Sequence, residues 1–184
     1  MQNVRKQFVA ALGLAALATA AVAGGNPMVG GKEMFPNKDI IANAVNSADH
    51  TTLVAAVKAA DLVTTLQGAG PFTVFAPTNA AFALLPAGTV ENLLKPENKA
   101  TLAKILTYHV VAGKVAAADL LKMIQDGKGK ATLKTVSGGT LTAMTKGGMV
   151  IIQDEKGGTA TVTIADVNQS NGVIHVVDAV LLPN

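Results

Sequence analysis

The hydrophobic positions change period along the chain, and the change divides it into a helical first half and a stranded second half. Asn37 can cap a helix that places Ile40, Ile41, Ala44, Val45 and Ala48 on one face. A second helix is expected from Asp49 to Thr51 through Leu53, Val54, Val57 and Leu62, stopping before Gly68. Pro71 to Phe75 reads as a short strand halted by Pro77. Thr78 or Asn79 can cap a short helix carrying Phe82, Leu84 and Leu85. Another short helix starts at Thr89, and a longer one opens at Pro96-Glu97 with Leu102, Ile105 and Leu106 as its buried stripe. Tyr108 to Val111 has the look of a strand, and Ala116 to Gln125 of a further helix. From Lys130 onward the period is two. Runs at 140–144, 149–152 and 161–164 are separated by Gly138-Gly139, Gly147-Gly148 and Gly157-Gly158 as turns. Gly172 to Leu182 is almost wholly apolar and is expected to be a central strand. Helices first and strands mostly later predict an α+β domain with an antiparallel sheet. The chain shows no internal repeat.

The N-terminus follows another pattern. Arg5 and Lys6 precede an apolar run from Phe8 to Ala23, and Ala21-Val22-Ala23 offers small residues where a signal peptidase cuts. This is the layout of a cleavable signal peptide over residues 1–23, cut after Ala23. Residues 24–36 are Gly-rich and are expected to form a flexible linker, with Phe35 as a possible anchor. Residues 37–184 then form one domain.

Composition refines this picture. The chain has 15 basic and 12 acidic side chains. Arg5 and Lys6 leave with the leader, so the remainder carries 13 basic and 12 acidic groups, a net charge of +1. That balance gives no case for nucleic acid as a partner, and no basic run or basic-aromatic alternation supplies one. Without cysteine the domain has no disulfide staple. A remainder of about 160 residues can bury roughly 70% of its unfolded surface and be held by its core alone.

Two segments stand out together: Thr73-Val74-Phe75-Ala76-Pro77-Thr78-Asn79-Ala80-Ala81-Phe82, and Asn171 to Pro183 with His175 and Asp178 inside it. Tyr108-His109 lies between them. In this order they resemble the fasciclin (FAS1) family, over about Asn37 to Pro183, in its single-domain secreted bacterial form. The residues give fold-making reasons for the same motifs. Pro77 ends strand pairing while Thr78 or Asn79 satisfies the helix N-terminus, and Phe75 can bury with Phe72 or Phe82. The resemblance implies the FAS1 fold, N-terminal helices packed on an antiparallel β wedge or sandwich. It implies a non-catalytic adhesion or protein-interaction module, secreted or periplasmic, at the cell surface or in the extracellular matrix. Its partner would be a surface or matrix protein or polysaccharide. Tyr108 and His109 become the candidate binding surface; Thr78, Asn79, His175 and Asp178 are structural motif positions.

A neutral, hydrogen-bonded corner is the commoner role for His109, capping a core edge for Tyr108, and a buried, satisfied strand position for His175. Three apart on a strand, His175 and Asp178 face opposite ways; either could bond to the Asn171 turn or to the Tyr108-His109 corner. The spacing of His50, His109 and His175 does not support a zinc site, so no metal or cofactor is expected. Ser47, Ser137 and Ser170 lack a nucleophile elbow. Asp154-Glu155 reads as a solvated turn, and Gly127 to Lys130 lacks phosphate-loop spacing. Asn168-Gln169-Ser170 fits a glycosylation sequon by chance. A periplasmic small-molecule or lipid carrier is the alternative, with Met34, Met123, Met144 and Met149 as adaptable lining; a cavity of several hundred Å3 would favour it (~300–1,000 Å3 for ligand sites). An enzyme acting on surface polymers is the third reading, and would need acids and histidines converging in a cleft.

Overall fold

A computed structural model describes residues 26–184. The expected leader, its cut after Ala23 and the first linker residues lie outside the described residues. The segment expected as a linker is built into the domain from Asn26 onward. β1 (Met28–Val29) and β2 (Lys32–Glu33) pair antiparallel. Gly30 and Gly31 make the turn between them at φ +59° and +71°, which side chains with a Cβ rarely adopt. Val29 and Met34 are buried in the core, so the hairpin is held by packing.

The helical half contains α1 (Ile40–Ala44), α2 (Thr51–Ala59), α3 (Val63–Gln67), α4 (Asn79–Ala83), α5 (Thr89–Leu93) and α6 (Lys99–Tyr108). Asp39, not Asn37, caps α1, its carboxylate accepting from Ala42 N at 2.8 Å. The helix expected through Leu62 is two helices, because Asp61 takes a left-handed φ of 60° between α2 and α3. Tyr108 is the last residue of α6 and His109 its C-cap, so the strand expected from Tyr108 begins at Val110.

The remaining elements are β3 (Phe72–Pro77), β4 (Val110–Ala112), α7 (Ala117–Asp126), β5 (Lys130–Lys134), β6 (Thr140–Lys146), β7 (Met149–Gln153), β8 (Thr159–Gln169) and β9 (Gly172–Val177). They form one sheet in the order β4-β3-β9-β8-β7-β6-β5. Helices on a sheet give the expected α+β class, but the sheet is mixed: β3 and β9 run parallel. An isolated bridge between Val111 and Thr135 brings the two ends of the sheet together. β8 changes register twice, between Val162 and Ile164 and between Ile164 and Val167, and such bulges bend a strand. β9 stops at Val177, and residues 178–184 continue as a tail outside the ladder.

Two apolar clusters flank the central strands. One lies under the helices, with Val74, Ala76, Ile174 and Val176; the other lies inside the sheet, with Phe75, Tyr108, Val177 and Leu181. Alternate side chains of β3 and β9 enter opposite clusters, which is why β9 is buried at every position. The same alternation separates the phenylalanines. Phe75 belongs to the second cluster, while Phe72 and Phe82 pack in the first.

Candidate functional site at the Tyr108–His109 corner

α6 delivers Tyr108 and His109 to the point where helix turns into strand, and both side chains point inward. Tyr108 is fully buried and His109 is 2% exposed. Neither offers a surface to a partner, in contrast to the expectation for this pair. The Tyr108 hydroxyl donates to Thr140 O at 2.7 Å and accepts from Glu155 N at 3.0 Å. Burial pushes its pKa up. The ring lies so close to Gly139 that a Cβ there would meet Cε2 at 2.7 Å.

His109 Nδ1 is 2.9 Å from Ile105 O, and Nε2 is 2.9 Å from Leu181 N. A carbonyl only accepts and an amide N–H only donates, so Nδ1 carries the proton and Nε2 is the acceptor. The ring satisfies both partners only when neutral. Burial holds its pKa down to about 4.

The C-terminal tail is fastened to this corner at three residues. Leu181 N donates to His109, Leu182 N to Asp154 Oδ2 at 3.0 Å, and Asn184 N to Glu155 Oε2 at 3.5 Å. Asp154 is therefore not part of a solvated turn. It is buried, and its Oδ1 accepts from Lys156 N and Gly158 N at 3.0 and 2.7 Å. Only Glu155 is exposed; its carboxyl pKa is lowered, first by the backbone N–H of Thr140.

His175 bonds to neither the Asn171 turn nor the Tyr108–His109 corner. Its Nε2–H donates to Val115 O at 2.8 Å, and Nδ1 accepts from Asp166 N at 3.3 Å. The ring stacks on Phe75 with centroids 5.7 Å apart, and burial lowers its pKa. Asp178 accepts from Thr161 N at 2.7 Å and closes the β8–β9 ladder. Thr78 caps α4 through Ala81 N at 3.2 Å, whereas Asn79 ties α4 to α2 by accepting from Thr52 N at 3.0 Å.

His109 and His175 have both ring nitrogens committed to backbone groups, so neither has a lone pair left for a metal. His50 differs. Its Nδ1 meets Ser47 Oγ at 2.8 Å, while its buried Nε2 has no partner among the described residues. Burial lowers its pKa. His50 and His109 line one apolar cavity between the helices and the sheet, with Met34, Leu53, Val74 and Ile174 among its walls. Its volume is about 40 Å3. That is well short of the several hundred Å3 that the carrier reading requires, and the four methionines do not share it: Met123 and Met149 are exposed.

The sequence reading missed Asn171 as a tie between distant elements. Its Oδ1 accepts from Ile40 N at 3.1 Å, and its Nδ2 donates to Leu66 O and Gly68 O at 2.7 and 3.1 Å. One side chain thus joins α1, the end of α3 and the start of β9. The Asn-Gly pair signals a turn; nothing local signals the tertiary bonds.

The fasciclin domain family model matches residues 48–183. Protein sll1483 of Synechocystis sp. is 56% identical over 144 residues, covering 78% of this chain and 73% of that protein. Immunogenic protein MPB70 of Mycobacterium bovis is 36% identical over 196 residues, covering 95% of this chain and 93% of that protein. Among solved structures, a FAS1 domain pair from the insect cell adhesion molecule Fasciclin I superposes with a TM-score of 0.71 at 21% identity, over 80% of this chain and 51% of that one. At that identity the likeness concerns the fold.

Proposed function

The chain belongs to the fasciclin family, and from that premise we propose that it is an exported, non-catalytic binding module at the cell surface or in the extracellular matrix. The observation that carries the reading is the fate of the residues best suited to chemistry. Tyr108, His109 and His175 are buried and hydrogen-bonded to backbone groups, and Asp154 holds a hairpin and the tail. They hold the fold together rather than face a substrate. The solved fold neighbour is itself a cell adhesion molecule, which supports a binding role. The leader expected over residues 1–23 supports export.

The test is saturable retention of the labelled, purified chain on envelope and matrix preparations of the producing cell. Parallel samples are pretreated with protease or with periodate to distinguish protein from polysaccharide as the receptor. Saturable binding that excess unlabelled chain displaces is expected. Absence of saturable binding, with turnover of glycoside or ester substrates instead, overturns the reading.

A further inference from the structure

Strands β5 to β8 are consecutive neighbours in the sheet, and only one of their faces is packed. Leu133, Leu141, Val150 and Ile152 point into the second cluster. The alternate positions point outward, and the register sets them in rows. Thr132, Thr142, Gln153 and Thr159 stand side by side in one row. Lys130, Met144, Ile151 and Thr161 form the next. Lys134 stands beside Thr140, and Lys146 beside Met149. Neighbouring strands are ~4.8 Å apart and outward residues on one strand ~6.8 Å apart, so the groups form a regular grid.

The chemistry of this face is one-sided. Lys130, Lys134 and Lys146 are exposed on it, and no outward position of β5, β6, β7 or β8 up to Thr163 carries a carboxylate. Acids at its margins are hydrogen-bonded: Glu155 accepts from Thr140 N and Oγ1 at the rim, Asp178 accepts from Thr161 N, and Asp166, past the bend in β8, accepts from Ala117 N at the start of α7. Between the lysines the face offers the hydroxyls of Thr132, Thr142, Thr159 and Thr161, each both donor and acceptor, while those of Thr140 and Thr163 already donate to Glu155 and to Val176 O. Protein interfaces favour aromatic residues, Met and Arg and are poor in Lys; this face has three exposed Lys and no aromatic residue or Arg, with Met144 and Met149 among its apolar members.

We propose that the outward face of β5–β8 is a docking surface for an anionic polysaccharide, with Lys130, Lys134 and Lys146 meeting its carboxylate or sulfate groups and the threonine rows its hydroxyls. The inference rests on the binding role above and names the partner class and the surface. The charge complementarity lies in three exposed lysines on strands whose outward positions carry no carboxylate, with the marginal carboxylates Glu155 and Asp178 already hydrogen-bonded. The hydroxyl grid suits a partner that itself carries hydroxyls along an extended chain.

The probe is alginate, in affinity electrophoresis of the full chain, with dextran as the uncharged polymer and phosphatidylglycerol vesicles as an anionic surface without sugar. Alginate is expected to retard the chain, dextran not to, and salt to abolish the effect, since charge attraction between exposed groups is screened. The Lys130→Glu/Lys134→Glu/Lys146→Glu variant should lose at least about tenfold in affinity, because like charges then face each other. An unchanged denaturation midpoint shows that it is folded. Thr142→Val, which keeps every charge, should weaken retardation several-fold. No retardation of the wild type, equal retardation of the triple variant, or binding to vesicles in place of alginate each overturns the proposal. If the wild type and triple variant bind the cell matrix saturably and equally, this face is wrong and the general binding role stands. If the wild type binds neither matrix nor alginate, both fall.

Discussion

His109 Nε2 accepts the backbone N–H of Leu181 at 2.9 Å, a buried bond between residues 72 apart in the chain. A neutral imidazole thus fastens the C-terminal tail to the end of α6, and the bond exists only while Nε2 keeps its lone pair.

Acid should loosen the domain in a defined window. The His109 pKa lies at about 4 in the folded protein against 6.5 for an unperturbed histidine. Between those values the unfolded chain takes up a proton that the native state refuses. The contribution is therefore complete above pH 6.5, declines as pH falls, and is lost below about pH 4; it is on the order of 3 kcal/mol. The lowered pKa values of His50 and His175 act in the same direction. Urea midpoints measured from pH 7.5 downward should fall across this window, and His109→Gln should be less stable at neutral pH with a shallower slope. A midpoint flat from pH 6.5 to 4 contradicts the account.

Tyr108 and Gly139 should be coupled. Tyr108→Phe leaves Thr140 O and Glu155 N without the hydroxyl, and should cost about 1–3 kcal/mol while keeping the fold. Gly139→Ala drives a Cβ into the ring and should cost about 1–3 kcal/mol by overpacking. Tyr108→Ala removes the obstruction. The Tyr108→Ala/Gly139→Ala double variant should then be less destabilised than the sum of its singles. Strict additivity in equilibrium unfolding would show that the contact is not limiting.

What the sequence made legible was local. Thr78 caps α4 because its hydroxyl needs only the next turn of helix, and the glycine pairs punctuate β5 to β8 because a hairpin turn is a short-range constraint. The burial of Tyr108 and His109 was not legible. Each looks like surface or core depending on which partner arrives from far along the chain, and those partners are Thr140, Glu155 and Leu181. The parallel pairing of β3 with β9 is equally non-local, and the all-apolar run of β9 reports burial on both faces without naming a neighbour. The Asp154-Glu155 pair shows the limit of composition. Two adjacent acids before Gly157-Gly158 read as a wet turn, yet Asp154 is buried by accepting three backbone N–H groups.

Asn171 should tolerate no change of donor and acceptor pattern. Asn171→Ala removes the bonds to Ile40 N, Leu66 O and Gly68 O and should cost about 2 kcal/mol or more. Asn171→Asp keeps the shape but turns an acceptor toward two carbonyl oxygens, so at neutral pH it should be the worse variant. Thermal unfolding of the pair decides it, and an aspartate variant as stable as wild type would refute the assigned amide orientation.

The N-terminal hairpin gives the sharpest contrast between a tether and a structural element. A Gly-rich tether could be cut or altered without effect on the domain. Met34 is instead 2% exposed and Val29 4%, both within the cluster under the helices. Gly30 combines φ +59° with a position where a Cβ would lie 2.5 Å from Ser47 Oγ and 2.7 Å from Ala48 N. Met34→Ala should cost about 2–5 kcal/mol through lost burial and the cavity left behind. Gly30→Ala should be comparably harmful, because backbone strain and a clash with backbone atoms act together. Gly31→Ala meets no neighbour and suffers only the strain of its positive φ, so its loss should be smaller. The hairpin lies upstream of the region matched to the family, residues 48–183; a chain that starts at Phe35, which keeps α1 and loses the hairpin with Met34, should unfold at lower denaturant than one that starts at Asn26. Equal midpoints for the two chains would return these residues to the status of a linker.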